Sequence, residues 1–280
     1  MSYQSILVHL DESPRCAVRV DIAARLAREH GAHLLGLAPS GLINLPAGVT
    51  PSLSGVPNYV ELAQAGLKAR AAALVQDFKQ RIEGCGLASS EGRVDEDDCV
   101  RSLVENARVH DLVVLGQTDR TSSSAAMEPD VPEQVFLHAG TPALVVPFAG
   151  SFAAVGECAV IAWNASRESA RAVHDALPLL RKARSVHLVC FERPSDLRHL
   201  SRLQLNDVHR WLTRHGVQAQ LHQEPVRIDV GEALLSRASD LGADLVVMGG
   251  YGHSRMAEFL LGGVTRRLLA HMTVPVLLAH

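Results

Sequence analysis

Short uninterrupted apolar runs alternate along the chain with stretches whose apolar residues recur every three or four positions. Ile6-Leu7-Val8, Leu112-Val113-Val114-Leu115, Val160-Ile161 and Leu245-Val246-Val247-Met248 are of strand length. Val100, Leu103, Val104 and Ala107 fall on one helical face, as do Leu234, Leu235, Ala238 and Leu241. Gly242 supplies a helix stop before the strand at Leu245. Ser13-Pro14 predicts a helix start, because the hydroxyl caps free amides and proline fills a position whose N–H has no intrahelical partner; Ser166 repeats the cap. The order strand, helix, strand, helix is that of a parallel sheet covered on both faces.

The pattern occurs twice. Ile6 to Ser13 aligns with Val160 to Ser166, pairing Asp11 with Asn164; His110 to Gly116 aligns with Ala243 to Gly249; Thr141-Pro142-Ala143-Leu144-Val145-Val146 resembles Val274-Pro275-Val276-Leu277-Leu278. The first landmark is displaced by 153 residues (11 to 164) and the other two by 133 (111 to 244, 142 to 275), so the first half carries about 20 extra residues. The segment from Pro39 to Tyr59, rich in Gly, Pro and Ser, is the expected place for them, as a flexible lid or as a surface loop without a role. Two α/β domains are expected, residues 1–149 and 155–280, each an open, mostly parallel, doubly wound sheet of Rossmann-like type. A chain of 280 residues gives each half enough length to bury a core.

Composition narrows the function. With 47% hydrophobic and 20% charged residues the chain is globular rather than disordered. Its formal net charge of -3 provides no global positive field for nucleic acid, and an aromatic content of 4% disfavours a base-stacking platform. No run approaches the roughly 18 apolar residues of a bilayer crossing, so no membrane partner is expected. Cys16, Cys85, Cys99, Cys158 and Cys190 include no Cys-x-x-Cys pair, and Met1 to Ser5 runs into a strand without signal-peptide features. A cytoplasmic location is the expectation.

Parallel open sheets bind ligands beyond the carboxyl ends of their strands. After the strand ending at Met248 the chain reads Gly249-Gly250-Tyr251-Gly252-His253-Ser254-Arg255, and later Gly262-Gly263-Val264-Thr265-Arg266-Arg267. Glycines that let a ligand approach the main chain, a helix start with free N–H groups and nearby cationic side chains together suit a phosphate. A glycine-rich turn kept only for packing is the alternative.

These residues resemble the universal stress proteins, in a tandem form with two such domains, over almost the whole chain. Gly249, Gly252 and Gly262 match the spacing of the family's nucleotide signature, whereas Gly263 stands where a Ser or Thr is expected. The resemblance implies an adenine-nucleotide α-hydrolase-like fold and an adenine nucleotide, ATP with or without Mg2+, in the second domain. Ala162, Asn164 and Val189 would meet the adenosine, Asn164 standing where the family has Asp. Gly249, Gly252, His253 and Ser254 would meet the phosphates, and Gly262, Gly263, Val264 and Thr265 the terminal phosphates; Arg255 would neutralise charge. It further implies pairing of the last strands, Ala143–Val146 with Val274–Leu278, as an intrachain pseudo-twofold dimer, and leaves a homodimer open.

The first half departs from the pattern. Asp119, Pro129 and Asp130 replace Gly252, Gly262 and Gly263, with Glu128 nearby, so acids and a ring without an N–H stand where a polyphosphate would sit. The first domain is expected to be a degenerate copy, Asp11 keeping a structural role. No Walker loop, nucleophile elbow or zinc motif is found, and His9, His110, His138, His187 and His271 sit singly beside apolar runs. A stress-response sensor or regulatory module that binds nucleotide is the leading reading. Its alternatives are a structural stress factor without nucleotide, and an enzyme with at most slow ATP hydrolysis, since only Ser254 and Glu258 lie near as candidate groups.

Overall fold

A computed structural model describes residues 2–42, 57–119, 130–192, 202–250 and 263–280, with the side chains of residues 57–59 and 202–204 not described. Most of the expected insertion, residues 43–56, lies outside the described residues, as do Glu128 and Pro129. Tyr3–Val114 forms one compact unit and Leu115–His280 another.

In the first unit, β1 (Ser5–His9), α1 (Cys16–His30), β2 (His33–Pro39), α2 (Pro57–Ile82), β3 (Ser89–Asp95), α3 (Cys99–Ala107) and β4 (Leu112–Gly116, which crosses the unit boundary) follow one another. The strands lie in the order β3-β2-β1-β4, all parallel, with Val8 of β1 between Gly36 of β2 and Val114 of β4. Ile6, Leu7, Val8 and Leu112 to Leu115 are fully buried, as continuous apolar runs in a sheet covered on both faces should be. On α3, Leu103, Val104 and Ala107 face the core, while Val100 in the first turn is half-buried.

The second unit holds α4 (Val131–Ala139), β5 (Ala143–Val146), β6 (Cys158–Ala162), α5 (Arg167–Leu180), β7 (Ser185–Glu192), α6 (Arg202–Arg214), β8 (Ala219–Pro225), α7 (Val230–Asp240), β9 (Leu245–Gly249), α8 (Gly263–His271) and β10 (Val276–Ala279). Its strands run β5-β10-β9-β6-β7-β8, parallel throughout except that β5 and β10 are antiparallel, Leu144 opposite Leu277. Thus β5, from the first half of the sequence, pairs with the last strand of the second. The buried Gln117 side chain donates to the Leu269 carbonyl (2.8 Å) and accepts from the Phe148 N–H (3.0 Å), fixing the segments around β5 to the end of α8. β10 begins at Val276 rather than Val274, because Pro275 has no N–H for the ladder; its carbonyl accepts from Val246 (3.0 Å).

The repeat has a physical counterpart. The Asp111 carboxylate accepts from the Gln4 and Ser5 N–H groups (2.6 and 3.0 Å), and its equivalent Asp244 accepts from Gly156, Glu157 and Cys158 (2.9 to 3.1 Å). In each half an aspartate just before one strand thereby ties down the start of the strand beside it. Asp98 and Asp229 cap α3 and α7 in the same fashion, each accepting from two N–H groups of the first turn. Gly242, at φ 61°, ends α7 as expected, with the Ala243 N–H returning to the Ala238 carbonyl (2.8 Å). Leu234 and Ala238 are buried on α7, while Leu235 and Leu241 are half-buried and Ala233 takes a core place.

One expected cap differs. Ser166 caps α5, accepting from the Ser169 N–H (3.1 Å), but α1 begins only at Cys16, and Ser13 accepts from Arg15 (3.1 Å) in a turn before the helix. The turn adds Pro14 and Arg15 between the hydroxyl and the first helical residue, out of reach of the helix's free amides.

Candidate functional site

In the second unit, the carboxyl ends of β9, β6 and β7 lie side by side, Ala162 paired with Met248 on one side and Val189 on the other. The chain leaves β6 through Trp163, whose N–H donates to the Val189 carbonyl (2.8 Å), and reaches Asn164, which is exposed. The Asn164 side-chain oxygen accepts from the Ser166 N–H (3.1 Å), the same turn that Asp11 makes with Ser13. Between Asn164 and the cap lies Ala165 at φ 57°, the one non-glycine residue with positive φ among those described. A Cβ in the left-handed region costs about 1–2 kcal/mol, so the turn between strand end and helix start is held under strain by its surroundings.

Gly249, the last residue of β9, and Gly250 after it face packed neighbours. A Cβ on Gly249 would lie 2.4 Å from the main-chain carbon of Glu168 and 2.4 Å from the nitrogen of Ser169, so the missing side chain lets the first turn of α5 press against the strand. A Cβ on Gly250 would lie 2.6 Å from the Phe136 ring on the opposite face. At Gly263 a Cβ would meet nothing within 4 Å, and the residue is exposed at the start of α8. Val264 is half-buried, its carbonyl close to Gly231 on α7, and Thr265 is buried with its methyl toward Gly250. Thr265, expected to meet the terminal phosphates, is thus placed in the packed side of α8.

Of the expected site, Ala162, Val189, Gly249 and Asn164 cluster at adjoining strand ends, and Gly263, Val264 and Thr265 form the first turn of α8. Gly252, His253, Ser254, Arg255 and Gly262 lie outside the described residues, as does Glu258. Arg267 does not face an open site: it pairs with Glu232 (2.5 Å) and approaches Asp229 (3.9 Å) at the start of α7, while Arg266 is exposed. Glu168, also at this end, is buried and bonded to Arg167 (2.9 Å). Burial alone would raise its carboxyl, but its own N–H, Arg167 and Ser166 outweigh that and hold it below the usual range.

At the corresponding end of the first unit the strand-end carboxylate is already engaged. The buried Arg19 of α1 reaches Asp11 at 2.7 Å and donates from Nε to the His9 carbonyl at 2.8 Å. Burial, partly opposed by Asp11 and reinforced by Arg19, lowers the His9 pKa to about 4, so its imidazole is neutral; the Cys99 sulfur lies 3.6 Å from its Nε2. Asp11 is held below its usual range: its burial, which acts the other way, is outweighed by Arg19, His9 and the Ser13 N–H. The carboxylate therefore stays ionised and serves an ion pair and a turn. Asp130, in place of Gly263 by the repeat but within the second unit, stands at the start of α4 and accepts from the Thr118 hydroxyl (2.8 Å).

Two groups were not legible as sites in the sequence. His187 is not solitary: its Nδ1 lies 3.1 Å from Nε2 of His222, whose Nδ1 lies 3.0 Å from an Arg237 nitrogen, and Arg237 also pairs with Glu224 (2.9 Å). Because arginine only donates, His222 accepts at Nδ1 and donates from Nε2 to His187. The register of β7 with β8 creates this contact over 35 residues of sequence. The other group is a cavity of about 280 Å3 beside α5 and α6, lined in part by Trp163 and Trp211. Among the described residues no three His, Cys, Asp or Glu side chains cluster to hold a metal, and no helix is long and apolar enough to cross a membrane.

No curated protein matches the chain. Among solved structures, a universal stress protein from Archaeoglobus fulgidus DSM 4304 superposes with a TM-score of 0.78 at 16% identity, over 98% of this chain and 95% of that one. A putative universal stress protein from Pseudomonas aeruginosa UCBPP-PA14 does so with a TM-score of 0.61 at 16% identity, over 99% and 93%. At such identity the likeness speaks for the fold. The sequence profile of the universal stress protein family matches residues 2–147 and again 159–280, and the chain therefore belongs to that family, in tandem form.

Proposed function

We propose that the second domain binds an adenine nucleotide, ATP in the first instance, and that the protein acts as a nucleotide-responsive regulatory module rather than as an efficient catalyst. The observation that carries the reading is the exposed Gly263 at the start of α8, in the same unit as the adjoining strand ends at Ala162, Val189 and Gly249. Helix-start amides and the macrodipole favour a phosphate, and the exposed Asn164 stands at the strand end where a ribose would lie. In the first half Arg19 neutralises Asp11, and an acid stands at the start of α4. The domain limits 1–149 and 155–280, the use of the β5–β10 pair as an intrachain dimer contact and a cytoplasmic setting belong to the same reading.

Calorimetric titration of the whole chain with ATP tests it. The wild type should bind one nucleotide per chain, and Gly252→Asp combined with Gly262→Pro, which copies the first half, should bind none. A second reading, a structural stress factor without nucleotide, is favoured by the tight packing that accounts for Gly249 and Gly250. It predicts no heat of binding and an unchanged melting temperature in saturating ATP.

A further inference from the structure

At the carboxyl end of β1 two side chains 90 residues apart in sequence meet: the Cys99 sulfur lies 3.6 Å from Nε2 of His9. His9 is 7% exposed, while Cys99, the first residue of α3, is half-buried, so the imidazole is enclosed and the cysteine keeps contact with solvent. The other ring nitrogen of His9, Nδ1, faces the Asp11 carboxylate at 3.8 Å. A thiol donor at Nε2 and a carboxylate beside Nδ1 assign the ring proton to Nδ1 and the lone pair to Nε2, toward the sulfur.

The fold does not require this pair. By the repeat, His9 corresponds to Ala162, and Cys99, directly after the cap Asp98, corresponds to Val230, directly after the cap Asp229. The second half thus fills both places with apolar side chains, whereas imidazole and thiol occur together in the first. Cys85 and Cys158 donate to main-chain carbonyls instead (3.6 and 3.5 Å). Thiolate and imidazole are ligands of soft and borderline metal ions. The separation suits neighbouring ligands of one ion, since bonds of about 2.3 Å to sulfur and about 2.0 Å to nitrogen span roughly 3.5–3.7 Å at tetrahedral to trigonal angles. A carboxylate behind the ring is the usual outer partner of a metal-ligating histidine.

We infer that His9 and Cys99 form a binding site for a soft monovalent metal ion, Cu(I). Binding breaks the Cys99 S–H bond, the proton leaves to solvent, and the thiolate and His9 Nε2 each donate an electron pair to the ion, whose oxidation state is unchanged. Charge selects the monovalent ion. Arg19 already neutralises Asp11 (2.7 Å), which leaves one negative charge, on the thiolate, for the metal. Cu(I) brings the enclosed group to zero, whereas Zn(II) leaves a surplus positive charge near the buried Arg19 guanidinium. Zn(II) would also have two protein ligands among the described residues in place of the four of a structural zinc site. The site lies within Tyr3–Val114 and does not rest on the nucleotide reading.

Anaerobic competition of the whole chain against the Cu(I) chelator bicinchoninate tests the inference. The wild type should take up one tightly held Cu(I) per chain, and its copper X-ray absorption should show one sulfur ligand together with nitrogen. Cys99→Ser, close in shape, should remove the tight site, and His9→Gln should weaken it by about ten-fold or more. Replacing Cys16 and Cys85 by Ser should leave it unchanged. The absorption spectrum of the wild type decides the ligand set even where a variant fails to fold. No tight Cu(I), copper held by sulfur alone, a tight site that survives Cys99→Ser, or Zn(II) bound as tightly as Cu(I) would overturn the inference.

Discussion

His9 ties the stability of the first unit to pH. It sits at the end of β1, 7% exposed, and burial lowers its pKa from 6.5 to about 4; Asp11 opposes the shift and Arg19 adds to it. Above pH 6.5 the imidazole is neutral whether the chain is folded or unfolded, and the full stability is present. Between 6.5 and about 4 the unfolded chain takes up a proton that the folded chain refuses, so stability falls as the pH falls; below about 4 both states carry the proton and the loss is complete. At roughly 1.4 kcal/mol for each pH unit, the gap amounts to about 3 kcal/mol. Urea unfolding at a series of pH values between 7.5 and 4, for wild type and His9→Gln, isolates this contribution, because the other acid-sensitive groups are common to both proteins. Glutamine keeps a polar side chain near the Cys99 sulfur but does not titrate. The wild type should lose about 3 kcal/mol more than the variant over that interval. Parallel pH profiles for the two proteins would refute the reasoning.

Other substitutions test the packing and the caps. Gly249→Ala forces a Cβ to within 2.4 Å of the α5 backbone and should cost about 1–3 kcal/mol in thermal unfolding whether or not nucleotide is present. Asp244→Ala removes the acceptor of three main-chain N–H groups ahead of β6 and should cost about 2 kcal/mol by urea unfolding, with Asp111→Ala acting likewise on β1. Ala165→Gly relieves the positive φ; after the extra freedom glycine gives the unfolded chain, a gain of up to about 1 kcal/mol should appear as a rise in melting temperature. His222 is held below its usual pKa by burial and by Arg237, with Glu224 opposing. His222→Gln should therefore weaken the loss of stability on acidification below pH 6.5, read by the same unfolding series.

The α/β architecture was legible because buried parallel strands write themselves as unbroken apolar runs, and because the repeat showed them twice. Ser166 was readable as a cap since the residues that follow it are already helical; Ser13 was not, because Pro14 and Arg15 extend a turn whose geometry leaves no separate mark in the sequence. The strand ends at Ala162 and Val189 could be placed together once the strand order was recognised. Side-chain groups that depend on register were hidden. His187 meets His222 only through the alignment of β7 with β8, and Arg19 is buried within a helix whose sequence gives no hint that a guanidinium turns inward. The tryptophan cavity escaped for the same reason, as α5 and α6 must pack before Trp163 and Trp211 can line one space.

The two halves differ by a coupled exchange of charge. With the offset of 153, Asp11 corresponds to Asn164 and Arg19 to Ala172, which is fully buried on α5. The first half keeps a carboxylate at the strand end and meets it with a buried guanidinium, while the second half has neither. A buried arginine facing Asn164 would be left without a counter-charge, at a cost of several kcal/mol, so the asparagine and the alanine belong together. Among the described residues, the Asn164 oxygen holds its turn alone, whereas Asp11 is engaged by Arg19 and by Ser13. If the second domain takes a ribose there, Asn164→Asp should tighten ATP binding, because a carboxylate can accept from both ribose hydroxyls without a competing guanidinium. Asp11→Asn in the first domain should leave ATP binding unchanged and lower stability through the uncompensated Arg19. An equal change of ATP affinity from both substitutions would show that the charge exchange does not separate the two halves in function.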